Sequence, residues 1–260
     1  MLSLEELKPF YPESLHGYER FILREYLQYK ILEIIFETRY ENRLSFLGGT
    51  CLRIVHNNNR FSEDLDFDNF ELSLTDFEGI TSIVKRELER LGYKIEMRNV
   101  NKGAYHCYIR FPDILFREGL TQHKEEKILI RLDSEAHGFE YSPDQPILNK
   151  FDVITQINAT PKDILLAQKF YALINRKRNK GRDFFDIVYL LGQDQIPSYD
   201  YLNAKLGIDT PETLRQLVKD KCSHLNMEEM AKDVKPFLIN QKDEKKVLLF
   251  AKYIEQAGLG

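Results

Sequence analysis

The chain has 260 residues, of which 43% are apolar, 30% charged and 12% aromatic, a balance that excludes disordered, collagenous and coiled-coil classes. Lys and Arg number 37 against 41 Asp and Glu, a net charge of −4, so no global positive excess advertises a nucleic-acid binder, and only a local patch can serve that role. The length suits one large domain or two modest ones, each burying its own core.

The first 40 residues read as helix, with Phe21, Ile22, Tyr26, Ile31, Ile34 and Ile35 recurring at helical spacing. Leu44–Leu47 is a short strand stopped by Gly48-Gly49, and Thr50 can cap a helix running through Leu52, Arg53 and Val55. Asp64-Leu65-Asp66-Phe67-Asp68 alternates polar and apolar residues, the pattern of a strand with one wet face. Thr75-Asp76-Phe77-Glu78 reads as a capping box opening a helix that ends near Leu91-Gly92. Strands are predicted over 93–100, 104–111 and 127–132, the first two joined through the turn Asn101-Lys102-Gly103. From Thr160 the pattern is helical, with Thr160 as N-cap and Pro161 at the first helical position, and helices over 161–178, 182–192, 211–224 and 243–257. The prediction is an α+β fold: an α/β domain over 1–155 and a helical domain over 156–260, joined through the Pro143–Thr155 region.

Cys51, Cys107 and Cys222 lie far apart, without CxxC or Cys-His ligand spacing, which argues against a zinc site or a disulfide framework. The opening Met-Leu-Ser-Leu-Glu-Glu lacks the apolar run of a signal peptide, and no window reaches the roughly 18 apolar residues of a membrane span. A reduced, soluble, cytoplasmic protein is expected.

The residues with chemistry cluster in two stretches. Asp64 and Asp66 are two apart on a strand, so they share a face about 7 Å apart at Cα, where they can hold Mg²⁺ or Mn²⁺ that grips nucleotide phosphates. Gly48 and Gly49 uncover backbone N–H groups that a phosphate can approach. Each signal alone is common. Fifteen residues separate Gly49 from Asp64, and together they point to a nucleotide site. Lys169 sits on an otherwise apolar helix face between Leu165 and Leu173, placed either to reach a phosphate or to snorkel to solvent. Asp183 and Asp186 are i and i+3 on one helix face; capping or pairing with Arg176 or Arg182 is the alternative role, and an even match at Asp183. The six histidines show no pairing, with His56 and His106 read as packing or surface residues, and neither Gly-x-x-x-x-Gly-Lys-Ser/Thr nor Gly-x-Gly-x-x-Gly is present.

Phe46-Leu47-Gly48-Gly49-Thr50-Cys51-Leu52-Arg53 followed by Arg60-Phe61-Ser62-Glu63-Asp64-Leu65-Asp66-Phe67 resembles the opening motifs of the AbiEii/AbiGii nucleotidyltransferase toxin family. The stretch from Lys169 to Arg176, then Lys180-Gly181-Arg182-Asp183-Phe184-Phe185-Asp186-Ile187, resembles that family's later lysine and Arg-Asp-x-x-Asp motifs, in the same order. Gly48-Gly49 replaces the Gly-Ser common in the wider superfamily. The resemblance implies a polymerase-β-like nucleotidyltransferase fold with an added helical domain, acting as the toxin of a bacterial toxin–antitoxin or abortive-infection system, with a cognate antitoxin as possible partner. On that reading Gly48, Gly49 and Thr50 cradle an NTP, Asp64 and Asp66 hold the metal, and Lys169 neutralises phosphate charge. Asp183 or Asp186 positions Lys169 or the acceptor, while Arg53 and Arg60 are phosphate contacts, with surface salt bridges as the alternative. Asp133, ending the run Ile128–Leu132, is matched evenly between a third catalytic carboxylate and a turn-starting aspartate.

The acceptor is expected to be RNA, and tRNA in particular. Between Lys162 and Arg182 seven basic residues face one acid, Asp163, and five of them (Arg176, Lys177, Arg178, Lys180 and Arg182) form one short run. Dipole complementation at a helix C-terminus is the competing explanation. The rival functions are nucleotide-dependent modification of a protein, by nucleotidyl or phosphoryl transfer, and a non-catalytic nucleotide-binding module.

Overall fold

Prolines break the helical run predicted for the first 40 residues. The computed structural model, which describes residues 1–260, has a single turn α1 (Leu4–Leu7), short 3₁₀ turns carrying Pro9 and following Pro12, and then the long helix α2 (Glu19–Phe36). Strand β1 (Leu44–Leu47) passes directly into α3 (Gly48–Ile54), so this helix starts at the glycines and Thr50 lies within it, a correction to the predicted cap. After β2 (Leu65–Asn69), helix α4 (Leu74–Arg90) is capped by Ser73 and Asp76 in a reciprocal box, two residues ahead of the predicted one. Next come β3 (Glu96–Lys102), β4 (Ala104–Phe111), the turn α5 (Ile114–Arg117) and β5 (Ile128–Glu135). The predicted connecting region instead contains a hairpin, β6 (Ile147–Lys150) and β7 (Val153–Gln156), which turns on Phe151 at φ +60°.

The chain forms two compact units. The first comprises residues 1–51, 61–138 and 142–159; the second comprises 52–60, 139–141 and 160–260. In the first, a five-stranded sheet runs in the order β1-β2-β5-β4-β3, antiparallel except where β2 lies parallel to β5. Alternation decides its two faces. Leu65, Phe67, Cys107, Ile109, Ile130 and Leu132 are buried on one face. Helices α2 and α4 pack on that side, where Phe36 meets Phe67 and Phe77 meets Tyr105. The residues between them point the other way and carry the polar groups.

The second unit is helical: α6 (Lys162–Asn175), α7 (Gly181–Leu191), α8 (Tyr199–Leu206), α9 (Pro211–Ser223), α10 (Met227–Val234), α11 (Lys245–Leu248) and α12 (Phe250–Gln256). Pro161, without a side-chain cap, precedes α6, and the Thr160 hydroxyl lies 2.8 Å from that of Tyr141, so Thr160 is not the predicted N-cap. The long predicted helix over 243–257 is instead a 3₁₀ turn and two short helices. Its core centres on α7, where Phe184 meets Phe250 edge-on at 4.9 Å between centroids. No helix is long and apolar enough to cross a membrane, and the three cysteines are free and buried.

Candidate active site

In the first unit the outward face of the sheet gathers three carboxylates around one guanidinium. Asp66 on β2 stands opposite Asp133 on β5, and Asp64 lies just before β2. Arg131, two residues before Asp133 and on the same face, holds its Nη2 3.0 Å from Asp64 Oδ2 and its Nε 2.8 Å from Asp133 Oδ2. The second contact is an ion pair at an angle unsuited to a hydrogen bond. Asp64, Asp133 and Asp66 all stabilise the Arg131 charge against the cost of its partial burial. His106 on β4 stands opposite Asp133 and its Nδ1 is 2.8 Å from Asp133 Oδ1. Burial raises the Asp133 pKa above the usual carboxylate range, although His106 and Arg131 pull against that shift.

The glycine turn lies beside this group. Gly48 has φ +78°, and a Cβ there would sit 2.5 Å from Asp66 Oδ2. The backbone and the carboxylate therefore approach each other as only glycine allows. Thr50 is fully buried and its hydroxyl donates to the Asp64 carbonyl, tying α3 to the start of β2. Its side chain faces inward, which leaves the partly exposed Gly48 and Gly49 backbone as the accessible part of the predicted cradle. We expect Gly48→Ala to cost about 1–2 kcal/mol for the left-handed backbone alone and to displace the Asp66 carboxylate. Urea unfolding with a parallel turnover assay should show activity falling far more than stability.

In the second unit a buried ion ladder joins α6 and α7 to the segment 52–60. Asp186, fully buried on α7, accepts from Arg60 Nε at 2.7 Å, Arg60 Nη2 at 2.6 Å and Asn58 Nδ2 at 2.7 Å. Lys169 on α6 places Nζ 2.8 Å from Asp186 Oδ2 and 3.2 Å from Asp183 Oδ1, and Arg176 Nη1 is 2.5 Å from Asp183 Oδ2. Burial by itself would raise the Asp186 pKa, but Arg60 and Lys169 reverse this and hold it at about 2. The guanidinium of Arg60 is 1% exposed, which leaves it no face for a phosphate, so the predicted contact there is corrected to a buried partner of Asp186. Two of the three Lys169 N–H donors are taken by carboxylates.

Other predicted residues land as follows. Arg53 donates to the Asn58 carbonyl at 3.1 Å. Within the basic run, Arg176 is engaged by Asp183 and Arg182 lies 5.0 Å from the Phe237 ring. Lys177 and Arg178 are exposed, and Lys180 is half-buried. His106, read from the sequence as a packing or surface residue, belongs to the carboxylate group; its signal was cross-strand register with Asp133, which no spacing along the chain displays.

No three Asp, Glu, His or Cys side chains converge as a ready metal cage. Mg²⁺ does not require one, since it commonly takes one or two carboxylates and completes its octahedron with water and substrate phosphates. The hard oxygen donors of Asp64 and Asp66 suit it, and the Arg131 guanidinium already stands in as the cation that this face attracts.

Comparison with known proteins gives a family and similar folds. The profile of a family described as nucleotidyl transferase AbiEii toxin, type IV toxin–antitoxin system, matches residues 30–253. The structure is similar to that of JHP933 from Helicobacter pylori, at 17% identity and TM-score 0.56, covering 91% of each chain. It is similar also to an H. pylori protein provisionally termed a nucleotidyltransferase, at 16% identity and TM-score 0.54, covering 92% of this chain and 96% of that one. At those identities the likeness concerns the fold alone. A comparison with curated protein sequences returns no match. A family match over most of the chain, on a mixed sheet bearing the carboxylates beside a glycine turn, places this protein in the AbiEii family of nucleotidyltransferase toxins of type IV toxin–antitoxin systems.

Proposed function

We propose that the protein transfers a nucleoside monophosphate from an NTP to a hydroxyl of RNA, with tRNA the expected acceptor, and that Asp64 and Asp66 hold Mg²⁺ or Mn²⁺. The observation that carries this reading is the placement of Asp64, Asp66 and Asp133 around Arg131 on one sheet face beside the Gly48 turn. The bound metal would neutralise developing phosphate charge. Gly48 and Gly49 offer backbone to the triphosphate, and in the helical unit Lys169 keeps one N–H donor for an anionic oxygen. Asp183 and Asp186 fix the direction of that ammonium, with Arg60 and Asn58 holding Asp186. The acceptor oxygen attacks the α-phosphorus, the bond from that phosphorus to the bridging oxygen breaks, and pyrophosphate leaves. Asp133, oriented by His106, takes the hydroxyl proton. A cognate antitoxin limits the activity in the cell, and the cytoplasm is where NTP and tRNA meet it.

The test incubates purified protein with each α-³²P-NTP, Mg²⁺, total RNA and cellular protein, and follows label and pyrophosphate. Label in RNA with stoichiometric pyrophosphate is the expected result. NDP release would indicate phosphoryl transfer, and label in protein would move the acceptor class. A second measurement addresses the metal: Arg131→Gln should tighten Mn²⁺ binding by about fivefold, the equivalent of about 1 kcal/mol for a unit charge near a solvated site. Electron paramagnetic resonance titration of free Mn²⁺ reads it directly, and equal affinity in both proteins would remove Arg131 as a competitor.

A further inference from the structure

We propose that the open face of β4 and β3 seats a single-stranded segment of the RNA acceptor, with Tyr108 stacking a base and Arg98, Arg110 and Lys102 contacting phosphates. This rests on the RNA acceptor of the preceding section. Cross-strand partners share a face, so the register continues the carboxylate group outward in order. Asp66 faces Asp133, Asp133 faces His106, and His106 faces Val100; one row along, Arg131 faces Tyr108 and Tyr108 faces Arg98. The opposite side of these strands is occupied by α4, whose Phe77 meets Tyr105 and whose Thr81 accepts from Asn99.

Three observations point to a nucleic-acid strand here. The even-numbered positions from 96 to 110 contain Arg98, Lys102, His106, Tyr108 and Arg110 against a single acid, Glu96, and that acid is engaged by Lys127 at 2.6 Å. Arg98, Lys102 and Arg110 have no ion-pair partner. The Arg110 guanidinium lies 5.7 Å from the Tyr108 ring centroid, so an aromatic face and a cation are presented together, the combination that holds unstacked bases and their phosphates. Position within the sheet supplies the polarity. The glycine turn follows β1 at one edge, the carboxylates lie on β2 and β5, and Tyr108 and Arg98 lie on β4 and β3 at the other edge. In an in-line displacement the acceptor enters opposite the leaving pyrophosphate, so an NTP on the β1 side puts the acceptor on the β4 side. Asp133, the proposed base, stands between them.

The test measures binding of a 5′-fluorescein 12-nucleotide RNA with a free 3′-hydroxyl, by anisotropy across a salt series, without NTP. Tyr108→Ala should weaken binding by at least about fivefold, with Tyr108→Phe close to wild type. Arg98→Ser combined with Arg110→Ser should lower the log–log salt slope by about 1.4, two single-strand phosphate contacts. NTP affinity and melting temperature should hold in the arginine pair, whose side chains make no ion pair. Wild-type affinity and slope in both variants would overturn the proposal, as would loss of RNA binding on changing Lys177 and Arg178 alone. Should Tyr108→Ala fold poorly, the arginine pair decides. A wild-type protein that binds no RNA yet labels a protein acceptor would instead overturn the RNA reading itself, and this surface with it.

Discussion

Asp186→Asn should destabilise the protein by about 3–5 kcal/mol at neutral pH, the loss expected when one partner of a buried ion pair is removed and the other is left charged. Asp186 is fully buried and receives Arg60, Asn58 and Lys169. Asparagine keeps the shape and half the acceptor capacity but none of the charge, so two cations remain in low dielectric with only Asp183 near Lys169. At about 2–4 °C per kcal/mol for a chain of this size, the melting temperature should fall by roughly 10 °C. The pH dependence has a definite sign. A carboxyl whose folded pKa lies at about 2, below its ordinary 3.8, contributes stability fully above pH 4 and loses it as pH falls through 2. The difference between wild type and Asp186→Asn in urea midpoint should therefore be constant from pH 7 to pH 4 and shrink below that. A variant matching wild type at pH 7 would mean that Asp186 is a spectator in its own ladder.

The opposite profile is expected on the sheet face. Asp64→Asn and Asp66→Asn should each reduce Mg²⁺-dependent nucleotidyl transfer at least about a thousandfold, equivalent to about 4 kcal/mol of transition-state stabilisation, while the fold persists. Asp64 meets Arg131 across a partly solvated gap, and such pairs are worth about 0–1 kcal/mol. Removing one of three clustered carboxylates also relieves repulsion while no metal is bound. The melting temperature should thus stay within about 2–3 °C of wild type or rise. Pyrophosphate release and a thermal melt on the same preparations check both halves, and wild-type turnover in the double variant would dismiss the pair from catalysis.

These two sites differ in how far the sequence disclosed them. Asp64 and Asp66 were legible because strand alternation is a local property: two residues of spacing already put both on one face, and β2 lies where the Leu65 and Phe67 pattern predicts. The group on α6 and α7 was legible as a cluster, since i and i+3 spacing put Asp183 and Asp186 together. What reaches them was not. Arg60 precedes Asp186 by 126 residues, and a lone arginine before a strand reads equally as a surface charge. His106 was misjudged for the same reason, its partner being defined by strand pairing rather than by distance along the chain. Helices α8 and α10 escaped the periodicity because each is only 8 residues long, too short for a hydrophobic stripe to repeat. The β6–β7 hairpin was hidden by its turn, where Phe151 adopts a positive φ usually left to glycine or asparagine.

The excursion of residues 52–60 into the second unit sets an order of events during synthesis. A chain growing from its N-terminus exposes the glycine turn and both strand aspartates long before residue 186 leaves the ribosome, yet the segment linking turn to aspartates carries Asn58 and Arg60, whose partner is Asp186. Until α7 emerges, Asp186 is missing and that link lacks the anchor it has in the finished fold, although β1 and β2 can already pair, Leu47 with Asp66. A chain ending before α7 would therefore carry Asn58 and Arg60 without the buried carboxylate that both meet in the finished fold.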